Sequence, residues 1–370
     1  GARFAVTLAA VALCEATLHI DVPGVTPPTT MEHHELLRLG VVGVAPVVTA
    51  LLLVEVVAAL LPAGRRLRTG GAAGRAQLDF LSVALAVLLT AIQAGLFTSY
   101  AAGLMPINLP VAMASLLGVT ALYVAMAQWI TRRGLGEGFA VLVAWSVCRL
   151  YWTAWDEPSV ALVLGVGAVA TVWARRLSCP VPLPSAGVLP LYSVQLFAAG
   201  VTLLDLLGVP GTQDILPDVV VPGGERGTLV PVMVGVALTA LLLDRAFAPD
   251  ADLARIAGAQ ANLRRITSAT TLAYALAMAG ASQLLMPVYS LHGVISGALL
   301  TAVAIDLFDA ARGHHAAPGR VAVWTFTRPL EVPQAVARLA AAGIGAHVTG
   351  LSLATLLQFF GPFTRPRLWV

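Results

Sequence analysis

Apolar runs of about twenty residues, the length that carries a helix across a bilayer, recur along the chain with short polar stretches between them. Ten such runs can be marked, at 4–20, 36–61, 78–102, 109–130, 138–154, 158–174, 187–208, 228–248, 266–287 and 289–311. None alternates apolar and polar residues in the way of a barrel strand, and backbone groups in lipid must be satisfied within their own segment, so each run predicts a helix. The first run has no small-residue cleavage site after it and reads as a span, not a signal peptide. The chain starts Gly1-Ala2-Arg3 without Met, so the natural N-terminus is expected further upstream.

Polar positions give the orientation. Arg65, Arg66, Arg68 and Arg75 follow the second run, Arg132 and Arg133 the fourth, Arg175 and Arg176 the sixth, and Arg245, Arg255, Arg264 and Arg265 the eighth. The odd-numbered connections instead carry acids, among them Asp21, Glu32, Glu35, Asp156, Glu157, Asp205, Asp214, Asp218 and Glu225. Basic loops stay on the cytoplasmic side, so the even connections and both termini are expected in the cytoplasm. Composition agrees with a membrane solvent: 58% of residues are hydrophobic, mean hydropathy is +0.85, and 11% are charged against about 25% in an ordinary soluble domain. All 22 basic residues are Arg and the net charge is only +3. With no basic face interleaved with aromatics, nucleic acid is not an expected partner.

The pattern changes after the tenth run. Residues 312–320 read as a polar linker, 321–326 as a strand, 330–342 as a helix, 343–348 as a turn entering a second strand, and 351–360 as an apolar helix. Residues 321–370 are thus expected to form a small cytoplasmic α/β appendage to a membrane domain over 1–311. Its last helix has the alternative of packing on that membrane domain. Cys14, Cys148 and Cys179 lack metal-site spacing, and the first two read as buried thiols. The adjacent polar residues Glu32-His33-His34-Glu35 read as a solvated loop and His314-His315 as linker, because adjacent side chains on extended backbone rarely converge on one metal. Glu15 and His19 share a helix face four residues apart and read as a hydrated pair. Glu55 lies inside a span, where an ionisable side chain needs a partner or a function. No nucleotide loop, Ser-His-Asp pattern or catalytic carboxylate pair stands out. Neither enzymatic activity nor a cofactor is expected.

Five segments stand out in order: 3–25, with Leu18-His19-Ile20-Asp21-Val22-Pro23-Gly24-Val25 at its end; 39–55; Gly70-Gly71-Ala72-Ala73-Gly74-Arg75 with Gln93-Ala94 downstream; 128–140, the most specific, containing Ile130-Thr131 and Gly134-Leu135-Gly136-Glu137-Gly138; and 179–190, ending Ala186-Gly187-Val188-Leu189-Pro190. Together they resemble the SecY family, the channel subunit of the general protein translocase. Asp306 sits where the family's last helix carries a similar Asp. The chain departs from the family at Glu55, Glu137 and Ala140, where the family has Gln, Asn and Ser.

The resemblance implies an all-α membrane protein: a SecY-like bundle of ten transmembrane helices in two pseudo-symmetric halves, spans 1–5 and 6–10, with the α/β appendage added. It implies a protein-conducting channel in the inner membrane, with residues 19–25 leading into a plug. SecE-like and SecG-like small membrane subunits and an unfolded polypeptide are the implied partners. An apolar pore ring falls on Val44, Val48, Phe139, Val143, Tyr192 and Leu299. Pro46 and Pro190 are expected to bend helices around a cavity, and Gly134, Gly136 and Gly138 to make a tight turn. Arg75, Arg132 and Arg133 fall at cytoplasmic-loop contact positions. The loops after spans six and eight, which in the family reach the SecA motor or the ribosome, are short here, which argues against ordinary docking. The alternative is a non-conducting SecY paralogue acting as scaffold or regulator. A small-solute transporter is disfavoured because no intramembrane polar cluster stands out.

Overall fold

The computed structural model describes residues 2–25, 38–104, 106–152, 158–176, 181, 183–193, 229–257, 262–285, 290–316, 321–326, 328–356 and 365–370. The helices are α1 (Ala2–Thr17), α2 (Ala45–Leu60), α3 (Pro62–Thr69), α4 (Gly71–Leu104), α5 (Leu109–Arg133), α6 (Gly138–Trp152), α7 (Pro158–Arg176), α8 (Leu229–Phe247), α9 (Asp250–Ala257), α10 (Leu263–Leu285) and α11 (Ser290–Ala316). Three strands, β1 (Ala322–Thr325), β2 (His347–Thr349) and β3 (Arg367–Trp369), and two short helices, α12 (Val332–Ala341) and α13 (Leu351–Leu356), follow. Nine of the ten expected spans meet one of α1, α2, α4 to α8, α10 and α11. The seventh is described only as a helical stretch at 189–193, and its remainder lies outside the described residues. Among the described residues, five helices are long and apolar enough to cross a membrane, Leu39–Leu60, Gly71–Gly103, Leu109–Arg133, Pro158–Arg176 and Gly293–Ala311.

Helix α4 shows how the bilayer inverts the usual pattern. One face, stepping by about one turn, carries Leu78, Ser82, Ala86, Thr90, Ala94 and Thr98, all buried. The opposite side carries Phe80, Val83, Val87, Leu88 and Leu96, all exposed and apolar. In lipid the large apolar side chains face out and the small ones face the protein, because close backbone approach drives association there. The buried hydroxyls return to the backbone one turn back: Ser82 Oγ donates to Leu78 O at 2.9 Å, and Thr90 Oγ1 and Thr98 Oγ1 donate to Ala86 O and Ala94 O at 2.7 Å. No polar atom on that face is left for lipid to solvate.

Two compact units divide the chain: Gly1–Trp145 with Phe359–Phe363, and Ser146–Gln358 with Thr364–Val370. The division falls inside α6, not after it. In the first unit α2 packs on α4, α1 on α5, and α4 on α5. In the second, α7 packs on α10 and α11, α8 on α10, and α10 on α11. The α7–α11 crossing is backbone to backbone. A Cβ on Gly167 would press into Val294 O and stand 2.7 Å from Ala298 N, and one on Gly297 would press into Leu164 O.

Three local expectations change. The arginine-bearing stretch after the second span is helical: Pro62 opens α3 in its first turn, where its missing N–H costs nothing, and α4 begins already at Gly71. The loop after the eighth span contains α9, whose first turn holds Asp250 and Asp252, favourable charges at a helix N-terminus. The expected linker from 312 does not begin there. Helix α11 runs on to Ala316, two residues short of Pro318 in the sequence.

The appendage is an antiparallel sheet in the order β1-β3-β2. Val348 pairs with Leu368 and His347 with Trp369 on one side of β3, and Thr325 with Arg367 on the other. Phe326, Val332 and Leu368 are its buried centre, covered by Val336, Leu339 and Leu351. The middle strand, β3, was missed in the sequence, since three residues after Pro366 show no readable period.

Candidate functional site

In the first unit the chain turns into α2 through Gly43, at φ +49°, and α2 starts at Ala45. Pro46 therefore stands in the first helical turn, where a proline removes no bond and bends nothing. The expectation of a bend at Pro46 is corrected. Val48 N–H donates to Val44 O at 3.1 Å, so the two valines lie one turn apart on one face. Val44 is buried and Val48 half-buried.

The turn before α6 is built by close approach. Gly134 ends α5, with its N–H donating to Ile130 O at 2.7 Å. Gly136 has φ +79°, and a Cβ on Gly138 would run into Ala127 O. Thr7 Oγ1 accepts from Leu135 N–H at 2.8 Å, fastening the turn to α1. Thr131 Oγ1 accepts from Gly138 N–H at 2.8 Å and lies 3.4 Å from Glu137 Oε2. Phe139 is wholly enclosed, while Val143, one turn on, stays half-buried.

In the second unit, residues 189–193 are helical and Pro190 is again in a first turn, so the bend expected there is corrected too. Its carbonyl lies 3.4 Å from Thr239 Oγ1 of α8. Tyr192 N–H donates to Val188 O at 3.2 Å, and the ring is half-buried. Leu299 of α11 is buried.

Charged groups cluster away from these apolar positions. Glu55, buried near the end of α2, is ion-paired with Arg75 and, at 3.3 Å, with Arg68 Nε. Arg75 Nε also faces Asp79 Oδ1 at 3.3 Å. Arg75 is therefore turned inward and buried in α4, and the expectation that it presents a loop contact is corrected. Arg132 and Arg133 are exposed in the last turn of α5.

The sequence reading missed Asp244, which is fully buried in α8. It accepts from Ser185 Oγ and, at 2.6 Å, from Ser268 Oγ, with Thr271 Oγ1 at 3.4 Å and Arg264 Nη1 at 3.6 Å. This fully partnered carboxylate ties the segment before 189–193 to α8 and α10. An Asp at the end of an apolar run was the available signal.

After α1, Val25 bridges to Ile107 and Asn108 N–H donates to Gly24 O at 2.9 Å. Val22 and Val25 enter a cluster with Val42, Ala94, Ala101, Ala112 and Leu116. At the end of α1, Glu15 lies 3.5 Å from His19 and accepts from Trp145 Nε1 at 2.9 Å. Cys14 is buried and Cys148 half-buried, both as free thiols. Among the described residues no group of three His, Cys, Asp or Glu side chains is placed to hold a metal. The Glu32–Glu35 stretch and Cys179 lie outside them.

Comparison with known proteins follows the same lines. Residues 39–205 match the SecY family model. No curated protein matches the chain. Among solved structures, a protein-conducting channel is similar at 12% identity and a TM-score of 0.57. Two others are similar at 14% identity and the same TM-score: Sec61 from a canine ribosome–channel complex of the endoplasmic reticulum, and a SecY protein studied for its plug domain. Each similarity covers 86% of this chain and 94% of the other. The bundle thus has the fold of the SecY/Sec61 channels, in a multi-pass membrane protein whose residues 39–205 are similar to the SecY family.

Proposed function

We propose that the chain is a protein-conducting channel subunit that moves unfolded polypeptide across or into the inner membrane, with both termini in the cytoplasm. The observation that carries this reading is a SecY-type fold kept over 86% of the chain together with apolar side chains at Val44, Val48, Phe139, Val143 and Leu299. An idle pore must stop ions, and a narrow apolar constriction does so by dewetting. In this reading these five and Tyr192 form the constriction, with the Tyr192 hydroxyl held by water or a polar neighbour. Residues 19–25 would lead into a plug, an element that finds support in the solved SecY whose plug domain stabilises the closed channel and maintains a membrane seal. SecE-like and SecG-like subunits would complete the assembly.

Replacing Val44 or Val48 with Asn is expected to make the resting protein leak ions in a planar bilayer. Folded variants that stay as tight as wild type would overturn the reading. Phe139 is a poorer target, because its full enclosure makes a loss of folding hard to separate from a loss of seal.

A second reading, a non-conducting scaffold, is favoured by one observation. Leu330 of the appendage packs with Val181, which follows α7, and with Ala248, Leu253 and Leu263, which follow α8. Motor or ribosome docking of the ordinary kind would need that surface. Copurification with a stalled secretory polypeptide would exclude the scaffold reading.

A further inference from the structure

The appendage is not merely attached at its end; it returns to the membrane bundle and grips it at two places. Helix α13 packs on α11 within the second unit. The Asp306 carboxylate of α11 accepts from the first-turn amides of α13, from Leu353 N–H at 2.8 Å and Ser352 N–H at 3.3 Å. Asp306 is buried, so these are charge-assisted bonds with little competition from water. At the other end of α13, Leu356 O accepts from Val188 N–H at 3.0 Å. Gly187 makes this contact feasible. It has φ +55°, and a Cβ there would press into Leu356 O and stand 2.8 Å from Thr355 O. Leu353, Ala354, Thr355 and Leu356 are buried in the contact. A separate anchor holds the start of the appendage, where Arg328 Nη1 donates to Asp252 Oδ2 at 2.8 Å.

From this geometry we propose that α13 is a built-in strap. It fastens the start of the seventh span to the tenth, and the channel opens only when the strap lets go. Tyr192 is one turn beyond Val188, and Leu299 is on the same helix as Asp306. Both positions therefore move apart only if the bond at Leu356 O or the bonds at Asp306 break. The six residues of α13 bridge two helices whose separation would widen the constriction, and every polar group they use is supplied by this chain. The strap is the chain's own C-terminal segment, Leu351–Leu356. A cytoplasmic partner that releases it would act as the opener. The proposal rests on the channel reading above.

The test uses the full-length protein in liposomes, with Asp306→Ala, Gly187→Ala and Arg328→Ala compared with wild type. Val323→Thr, an exposed change in β1, is the control. Loss of two bonds to a buried charge should raise amide exchange over residues 351–356 by about tenfold or more, and the same variants should leak ions at rest. If α13 exchange does not rise in Asp306→Ala and Gly187→Ala, the strap contact is not what holds the helix, and the proposal falls. If exchange rises, resting conductance stays at the wild-type level, and Val48→Asn leaks, the strap is overturned and the channel stands. If neither the strap variants nor Val48→Asn leak, the channel reading fails and takes the strap with it. Should Asp306→Ala not fold, Gly187→Ala carries the same test without removing a buried charge.

Discussion

Single side chains separate into those that pack and those that pair. Glu55 is costly to disturb, because two arginines already neutralise it out of water. Removing Glu55 leaves the buried Arg75 with Asp79 as its remaining ion-pair partner and Arg68 half-buried, at a cost of about 3 kcal/mol. Glu55→Gln is therefore expected to lower the thermal midpoint in detergent clearly. Glu55→Gln combined with Arg75→Gln should recover part of the loss, since both halves of the pair are then gone. The Asp21–Arg38 pair, 2.9 Å apart but partly exposed, is a contrast. Asp21→Asn should change stability by less than about 1 kcal/mol. Glu55 was readable as an ionisable residue needing a partner; which arginines supply it was not, because Arg68 and Arg75 reach it only through the folding of α3 and the start of α4.

At the scale of elements, small residues decide how closely helices meet. Gly167 and Gly297 allow α7 and α11 to touch through their backbones, the kind of contact that drives association where lipid is as apolar as the side chains. Gly297→Val is expected to destabilise the second unit severely, as read by aggregation on detergent extraction or loss of the cooperative melt. Gly118→Val is the control, since a Cβ there meets nothing within 4 Å. It should leave the melt unchanged within about 0.5 kcal/mol, the usual range for an open site. Equal damage from both would show that close approach is not what the glycine at 297 provides. The two prolines teach the complementary lesson. In sequence they look like interior kinks, but each helix begins one residue before its proline, and position within a helix decides what a proline does.

For the whole molecule, the arginine bias makes a topological prediction. With Cys14, Cys148 and Cys179 replaced, a cysteine reporter at Ala73, exposed near the start of α4, should resist an impermeant label added from outside, and one at position 211 should react. The reverse pattern would overturn the orientation. The unit boundary within α6 was invisible in the span pattern, and the packing of the appendage's last helix on the membrane domain was readable only as an alternative, without α11 as its partner. They depend on which faces meet in three dimensions, and an apolar run looks the same whatever it packs against.

The sequence by itself determined the number and rough limits of the apolar spans, the membrane as solvent, the sided distribution of arginine and the family resemblance. Each of these is written locally, as a run of apolar residues or an ordered motif such as 128–140. Tertiary structure alone decided the partners of Glu55 and Asp244, the first-turn placement of Pro46 and Pro190, the central strand Arg367–Trp369, and the grip of Leu351–Leu356 on Asp306 and Val188. Apart from the two prolines, these join residues far apart in the chain. A hydrogen bond or an ion pair is satisfied by whatever the fold brings within reach, and no local periodicity records that choice.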